Sequence, residues 1–494
     1  MFESDFFSNR PESLAAYRAA VEGLVETLTA SLPNGAFLGG APDSLAASLP
    51  TMPLGGPQSM PAAFARLGRI VNGSVAVYHP RAAAHLHCPV LIPALMAEMA
   101  LAALNQSMDS FDQAPAATLI EQQIVEWACR LVGLPSTASG VFTVGGTQSN
   151  YMGLLLARDR LLSEKWGWPV RERGLPPESG RLKILCSEAA HFSVAKSAHQ
   201  LGLGTDAVAP VAADDAGRLR PEALIEALSI MRLRNQEPMA IVATAGTTDF
   251  GSVDPLGRAA AIAAEAGVWL HVDAAYGGAL LLSQEHRRKL AGIERADSVA
   301  IDFHKAFYQP ISCSAFLVSE ERNFEFIRHH AAYLNPDEHE QMGIPDLVTR
   351  SVLTSRRFDA LKVWMTLQTI GQARLAAMVE RTVDLARAAA AKIDSHPRLE
   401  LINQPEFGCL LFRYRPEDDS ADSEAIQQAL PRRLFELGEA VIGYTSWRGR
   451  RLLKLTALNP CSSENDLGEL LELVVSHGRS LELEIDGRSR ISGS

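Results

Sequence analysis

The chain has 494 residues, with 46 Lys and Arg against 57 Asp and Glu, a formal net charge of −11. Apolar residues make up 47% and charged residues 21%, a globular composition that excludes wholesale disorder, and the length allows about two to four domains. The acidic balance excludes nucleic acid as the main partner, because gripping phosphates needs a basic surface.

No membrane span or export signal is expected. The most apolar long stretch, residues 88–104, carries Glu98 and falls short of the roughly 20 residues a span requires, so it reads as a buried helix. The opening MFESDFFSNRPES has no basic region followed by an apolar one, as a signal peptide would. Cys88, Cys129, Cys186, Cys313, Cys409 and Cys461 are scattered without a CxxC pair. That pattern predicts reduced thiols in a cytoplasmic protein, with neither a disulfide framework nor a metal site.

In chain order, residues 15–32 have helical periodicity, and the stretch that follows, to about residue 58, is broken by Gly and Pro. This predicts a loop-rich arm suited to packing on a partner subunit. From about 115 to 320, apolar strands alternate with helices: KILCS (183–187), MAIVATAG (239–246), GVWLHVDAAY (267–276), SVAIDFHK (298–305) and SAFLVS (314–319) read as strands. Such alternation predicts an α/β domain with a mainly parallel central sheet, covered on both faces, and a ligand at the carboxyl ends of its strands. A long helix at 356–395, interrupted at Gly371, then leads into an α+β pattern. The expected division is a helical arm at 1–95, a large domain at 96–375, a small domain at 376–484 and an irregular tail at 485–494.

Four motifs sit where these strands end. VFTVGG (141–146) runs into Thr147, Gln148, Ser149 and Asn150 and then a helix. The glycines allow a tight turn, and the free N–H groups of the helix can cradle a phosphate. Alone this is weak, and it is neither a Walker loop nor GxGxxG. HVDAAYGG (271–278) places Asp273 at the end of an apolar strand, where a carboxylate is costly unless paired with a cation or a strong donor. In IDFHKAFYQP (301–310), Lys305 lies between apolar and aromatic neighbours. Desolvation there is expected to lower the ammonium pKa and free the amine for imine formation. His191, in a stretch read as helical just after a core strand, is divided evenly between a structural and a functional role. In this order the four supply what pyridoxal 5′-phosphate needs: a phosphate site, a stacking ring, a carboxylate for the pyridine nitrogen and a lysine for the aldehyde.

With these motifs the chain resembles the fold-type I, group II pyridoxal phosphate-dependent amino acid decarboxylases, which include the aromatic amino acid, glutamate, histidine and 2,4-diaminobutyrate decarboxylases. The likeness covers roughly residues 60–475 and is most specific in HVDAAYGG and DFHK. It implies an aspartate aminotransferase-like fold with an N-terminal arm and a small α+β domain, and a homodimer. It implies that Lys305 carries the Schiff base and Asp273 pairs with the pyridinium. His191 and Ala275 would pack on the two ring faces, Thr147, Gln148 and His304 would hold the phosphate, and Thr248 would lie in the cofactor pocket.

Residues 79–95, 104–122, 301–318, 355–364 and 452–460 look most similar to the bacterial diamino acid decarboxylases that supply siderophore pathways, acting on lysine, ornithine or 2,4-diaminobutyrate. One departure stands out. Where the aromatic amino acid decarboxylases carry a proton-donating tyrosine before Arg-Arg-Phe, here Arg356-Arg357-Phe358, this chain has Leu347, with Tyr333 nearby. His191 is the fallback donor. Asp109, Asp112 and Glu121 are candidates for a distal substrate ammonium, although each alone reads better as part of a solvated loop. Lys454 falls where glutamate decarboxylases have an arginine. Rival readings are decarboxylation of glutamate or an aromatic amino acid, an aminotransferase or lyase on the same fold, a silent scaffold and, weakest, a dinucleotide-dependent dehydrogenase.

Overall fold

In the computed structural model of the protein, residues 3–51, 56–331, 333–417 and 422–492 are described. Its strands are β1 Ala82–Ala83, β2 Ser139–Thr143, β3 Leu182–Ser187, β4 Val208–Val211, β5 Glu237–Thr244, β6 Trp269–Asp273, β7 Ser298–Asp302, β8 Ser314–Val318, β9 Leu399–Leu401, β10 Cys409–Tyr414, β11 Val441–Trp447 and β12 Arg450–Thr456. The seven-stranded sheet has the order β2-β8-β7-β6-β5-β3-β4. Only β8 runs antiparallel to its neighbours there, so the expected mainly parallel sheet is present. All residues of β2, β6, β7 and β8 are buried, which requires cover on both faces and explains their unbroken apolar runs.

Helix boundaries follow local chemistry. Pro115 opens the helix Pro115–Val132, and Gly133 closes it at φ 88°, its N–H bonded to Cys129 O at 3.0 Å. The Ala-rich helix Leu256–Ala266 ends the same way at Gly267, φ 65°. Both are glycines in the left-handed conformation that a helix terminus favours. Register then builds the site. Thr244 pairs with Asp273 across β5 and β6, while Asp302 and Thr143 both pair with Ser314 of β8. Five polar strand ends are thereby brought to one edge of a buried sheet.

The chain forms two compact units. One comprises Leu86–Arg387 and Asn403–Leu410, and holds the large sheet. The other comprises Met1–His85, Ala388–Ile402 and Leu411–Ser494, and is built on the sheet β1-β11-β12-β10-β9. Residues Met1–His85 therefore group with the C-terminal segment, for a visible reason. Ala82 and Ala83 pair in parallel with Val441 and Ile442, Gly40 N donates to Glu436 O at 2.7 Å, and Phe37 stacks on Phe435 at 4.4 Å. The last helix runs from Glu464 to Ser492, through most of the tail expected to be irregular, because each added residue completes a backbone hydrogen bond once a helix is under way. Among the described residues no helix is long and apolar enough to cross a membrane, and no cluster of ligands for a metal ion occurs. Residues 88–104 form the helix Ile92–Leu104 after a short lead.

Candidate active site

A cavity of about 250 Å³ opens at the carboxyl ends of β5, β6 and β7, lined by Gly145, Gly146, Thr147, His191, Thr244, Thr248, Asp273, Ala275, Asp302, His304 and Lys305 among others. It is smaller than a groove of about 670 Å³ in the other unit, but it gathers Thr147, His191, Thr248, Asp273, Ala275, His304 and Lys305 of those singled out from sequence.

Lys305 arrives by a turn after β7. Lys305 N donates to Asp302 O at 3.3 Å and Tyr308 N to Lys305 O at 3.0 Å, which returns the ammonium to 2.9 Å from Asp302 Oδ2. Burial by itself lowers the Lys305 pKa, yet the charges of Asp302 and Asp273 raise it above the ordinary lysine value. This corrects the expectation of a desolvated free amine: a neighbouring carboxylate outweighs desolvation. Burial tends to raise the Asp302 carboxyl, but Lys305 and His304 hold it low, and Ser314 Oγ donates to Oδ1 at 2.7 Å. His304 Nδ1 accepts from Cys313 N at 3.1 Å, and Nε2 lies 3.6 Å from Asp302 Oδ2.

Asp273 closes β6. Its Oδ1 accepts from Ala275 N at 3.1 Å and its Oδ2 from Asn150 Nδ2 at 2.7 Å. A carboxylate oriented by two donors and facing a cavity is set for a cation on the remaining side. His191 stands in the loop before the helix Ser193–Gln200 rather than within it. Its Nδ1 meets Ser193 Oγ at 2.9 Å. Burial lowers its pKa, against the charge of Asp273; the nearby charge of Asp249 also raises it.

Not every expected residue faces the cavity. Gln148 is absent from the lining; its Oε1 accepts from Val144 N at 2.9 Å, back across the turn that opens the helix Gly146–Arg160. Glu121 is fully buried and paired with Arg356 at 2.8 Å. Asp109 and Asp112 take bonds from the hydroxyls of Ser107 and Ser110. None of the three lines the cavity. Lys454 is buried and lines the larger groove. Leu347 is buried and Tyr333 is 87% exposed, and neither lines the cavity. Conversely, Asn150, Thr244, Tyr276 and Asp302 line it without having been given roles from sequence. Their signal was position, since three of the four end a strand or begin a helix beside a motif already noted.

The residues fit pyridoxal phosphate. The Thr244 hydroxyl is buried, lines the cavity and has no hydrogen-bond partner among the described residues, a state that a bound polar group would relieve. Gly146 keeps the floor open, since a Cβ there would stand 3.0 Å from Ala275 Cβ and 3.2 Å from Asp302 Oδ2. The N–H groups of Gly146 and Thr147 begin a helix and have no partner within it, which suits an anion.

Comparison with known proteins points the same way. The pyridoxal-dependent decarboxylase conserved domain matches residues 43–415. The chain is 38% identical over 484 residues to an L-2,4-diaminobutyrate decarboxylase of Acinetobacter baumannii, covering 96% of this chain and 95% of that one. It is 42% identical over 422 residues to the enzyme of the same name from Rhizobium meliloti (strain 1021), covering 85% and 82%. The crystal structure of the glutamate decarboxylase domain of diaminobutyrate-pyruvate transaminase and L-2,4-diaminobutyrate decarboxylase from Vibrio parahaemolyticus superposes with a TM-score of 0.89 at 36% identity, over 97% of this chain and 98% of that one. The chain belongs to the pyridoxal-dependent decarboxylase family.

Proposed function

We propose that this decarboxylase acts on an L-diamino acid, 2,4-diaminobutyrate foremost, with ornithine and lysine as the neighbouring candidates, and releases CO2 and the corresponding diamine. The observation that carries the chemistry is the placement of Lys305, Asp302, Asp273 and His191 around one cavity at the strand ends. The substrate class is supported by the names of the two relatives described above.

When bound, pyridoxal phosphate supplies the electron sink for the pair left behind by the departing carboxylate. The protein's part is orientation and charge. Asp273, held by Asn150 and the Ala275 N–H, is assigned to the protonated ring nitrogen. Lys305 is assigned to the aldehyde, and Asp302 Oδ2, 2.9 Å away, pairs with its ammonium and holds the proton that the amine must shed. Thr147, His304 and the first N–H groups of the helix Gly146–Arg160 are assigned to the phosphate, His191 and Ala275 to the two ring faces, and Thr248 to the pocket wall. His191 is also assigned as the proton source for the substrate α-carbon, because Leu347 and Tyr333 lie outside the lining. For the distal ammonium, the assigned acceptor is Asp249, which does not itself line the cavity but follows the lining residue Thr248 and is near enough for its charge to act on His191.

We also infer a homodimer. Helix Ile92–Leu104 exposes Ile92, Leu95, Met96, Met99 and Leu104, a helical spacing of apolar side chains that supports a protein partner. A cytoplasmic setting is supported by the six cysteines, which form no disulfide among the described residues and of which five are buried.

The test is CO2 release from 2,4-diaminobutyrate, ornithine, lysine, glutamate and aromatic amino acids, with keto-acid formation measured in parallel. Preference for a diamino acid with stoichiometric CO2 is expected. Preference for glutamate or an aromatic substrate overturns the substrate class, and keto-acid formation overturns the reaction. Borohydride reduction of the holoenzyme followed by peptide mapping is expected to place the pyridoxyl group on Lys305.

A further inference from the structure

Behind the cavity lies a chain of buried hydrogen bonds whose direction can be worked out from one end to the other. It begins at Asp273 Oδ2, a carboxylate oxygen that accepts from Asn150 Nδ2 at 2.7 Å. The Asn150 amide is thereby fixed with nitrogen toward Asp273 and toward Ser193 Oγ at 2.9 Å, and with oxygen toward His271 Nε2 at 2.9 Å. His271 must then carry its proton on Nε2, so its Nδ1 accepts from Ser298 Oγ at 2.8 Å. Ser298 Oγ also accepts from Trp269 Nε1, at 2.9 Å. Ser193 in turn donates to His191 Nδ1, at 2.9 Å, and the same nitrogen lies 3.3 Å from the Ser193 N–H. An Nδ1 that accepts leaves the proton of His191 on Nε2.

The fold accommodates this chain at a cost. Gly153 lies one turn after Asn150, inside the helix Gly146–Arg160. Glycine in a helix interior is less favourable than alanine. A Cβ at Gly153 would stand 2.5 Å from His271 Nδ1 and 2.8 Å from Cε1, so the missing side chain is the space the imidazole occupies. Asn150, Ser193, His271 and Ser298 are each at most 1% exposed. Burial also lowers the His271 pKa to about 4, which keeps the ring neutral as the chain of donors requires.

We propose that Asn150 and His271 are positioning residues of this site: through one amide they hold Asp273 as an acceptor aimed at the cofactor ring and set His191 with its proton on Nε2. Neither His271 nor Gly153 lines the cavity; the hydrogen bonds that carry their effect toward it pass through Asn150. The assignment rests on the family's cofactor and holds whichever amino acid is the substrate.

The test is pyridoxal phosphate titration of apoenzyme carrying Asn150→Ala, Asn150→Asp or Gly153→Ala, followed by absorbance and fluorescence quenching. Each variant is expected to bind the cofactor about ten- to hundredfold more weakly, the range seen when a residue orienting a ligand is lost. Its visible band is expected to shift, and kcat to fall with KM changed less than about threefold. Asn150→Asp keeps the acceptor for His271 and loses both donors, so a loss there separates direction from packing. A folded Asn150→Ala protein with wild-type cofactor affinity and spectrum, lowered only in thermal stability, overturns the proposal. Should the Asn150 variants not fold, Gly153→Ala decides: alanine favours the helix, so wild-type affinity in that variant overturns it equally.

Discussion

Lys305 illustrates how far a single residue can be read before its neighbours are known. Its apolar and aromatic flanks correctly exclude a solvated position: the side chain is 22% exposed. The same flanks predict a depressed pKa, and the structure reverses the sign, because Asp302 three residues earlier turns back onto the ammonium. Sequence displays desolvation directly, while the charge that opposes it depends on how a turn closes. The reversal is testable. Asp302→Asn leaves burial unopposed at short range, so the free amine of Lys305 becomes available at lower pH. Reconstitution of the apoenzyme with pyridoxal phosphate is expected to shift its pH dependence downward, measured as the midpoint of the rate against pH; an unchanged midpoint would assign no proton-holding role to Asp302. Asp249→Asn belongs to the same scale. The neutral amide removes the negative charge assigned to the distal ammonium, so KM for 2,4-diaminobutyrate is expected to rise by about tenfold with kcat within about threefold. An unchanged KM would remove Asp249 from substrate binding.

At the scale of elements, the strands that end in chemistry were the legible ones. β3, β5, β6, β7 and β8 all fall on runs recognised as strands, because a buried parallel strand is a continuous apolar run. β4 was not recognised. It is VAPV at the edge of the sheet, and a proline is tolerated there only because an edge strand leaves one side unpaired. Glu121 escaped correct reading for a different reason. In sequence it belongs to a polar stretch; in the structure it is fully buried, accepting from Phe142 N at 3.0 Å and from Arg356 Nη1 at 2.8 and 3.1 Å. The pair ties the helix Pro115–Val132 to β2, the strand that delivers Gly145 and Gly146 to the cavity. Removing one partner strands the other charge in the interior, which costs about 3–5 kcal/mol, whereas replacing both by apolar side chains restores much of that. Glu121→Ala is therefore expected to lower the urea midpoint of the holoenzyme strongly, and Glu121→Leu with Arg356→Met to recover most of the loss. Equal losses in the single and double variants would show that packing, not charge, sets the cost.

The whole molecule carries an apolar face that one copy of the chain leaves uncovered. Along helix Ile92–Leu104, Ile92 is 73%, Met96 49% and Leu104 58% exposed, while Ala94, Ala97 and Leu101 of the same helix are buried. The sequence predicts burial for this stretch, and the structure supplies it on one face only. Two faces of opposite fate on one apolar helix are what an obligate interface produces, since a stable dimer buries its own continuous apolar patch. The acidic net charge of −11 works against association at low salt by self-repulsion, so in the proposed dimer the apolar term has to outweigh it. Met96→Glu places a further negative charge at the centre of the exposed face. Light scattering of the holoenzyme is expected to give twice the chain mass for the wild type and a concentration-dependent fall toward one chain mass for Met96→Glu. Raised salt should restore part of the association, by screening the repulsion but not the cost of burying the carboxylate. A wild-type protein that scatters as a single chain, or a Met96→Glu variant as tightly associated as the wild type, would remove this helix from the interface.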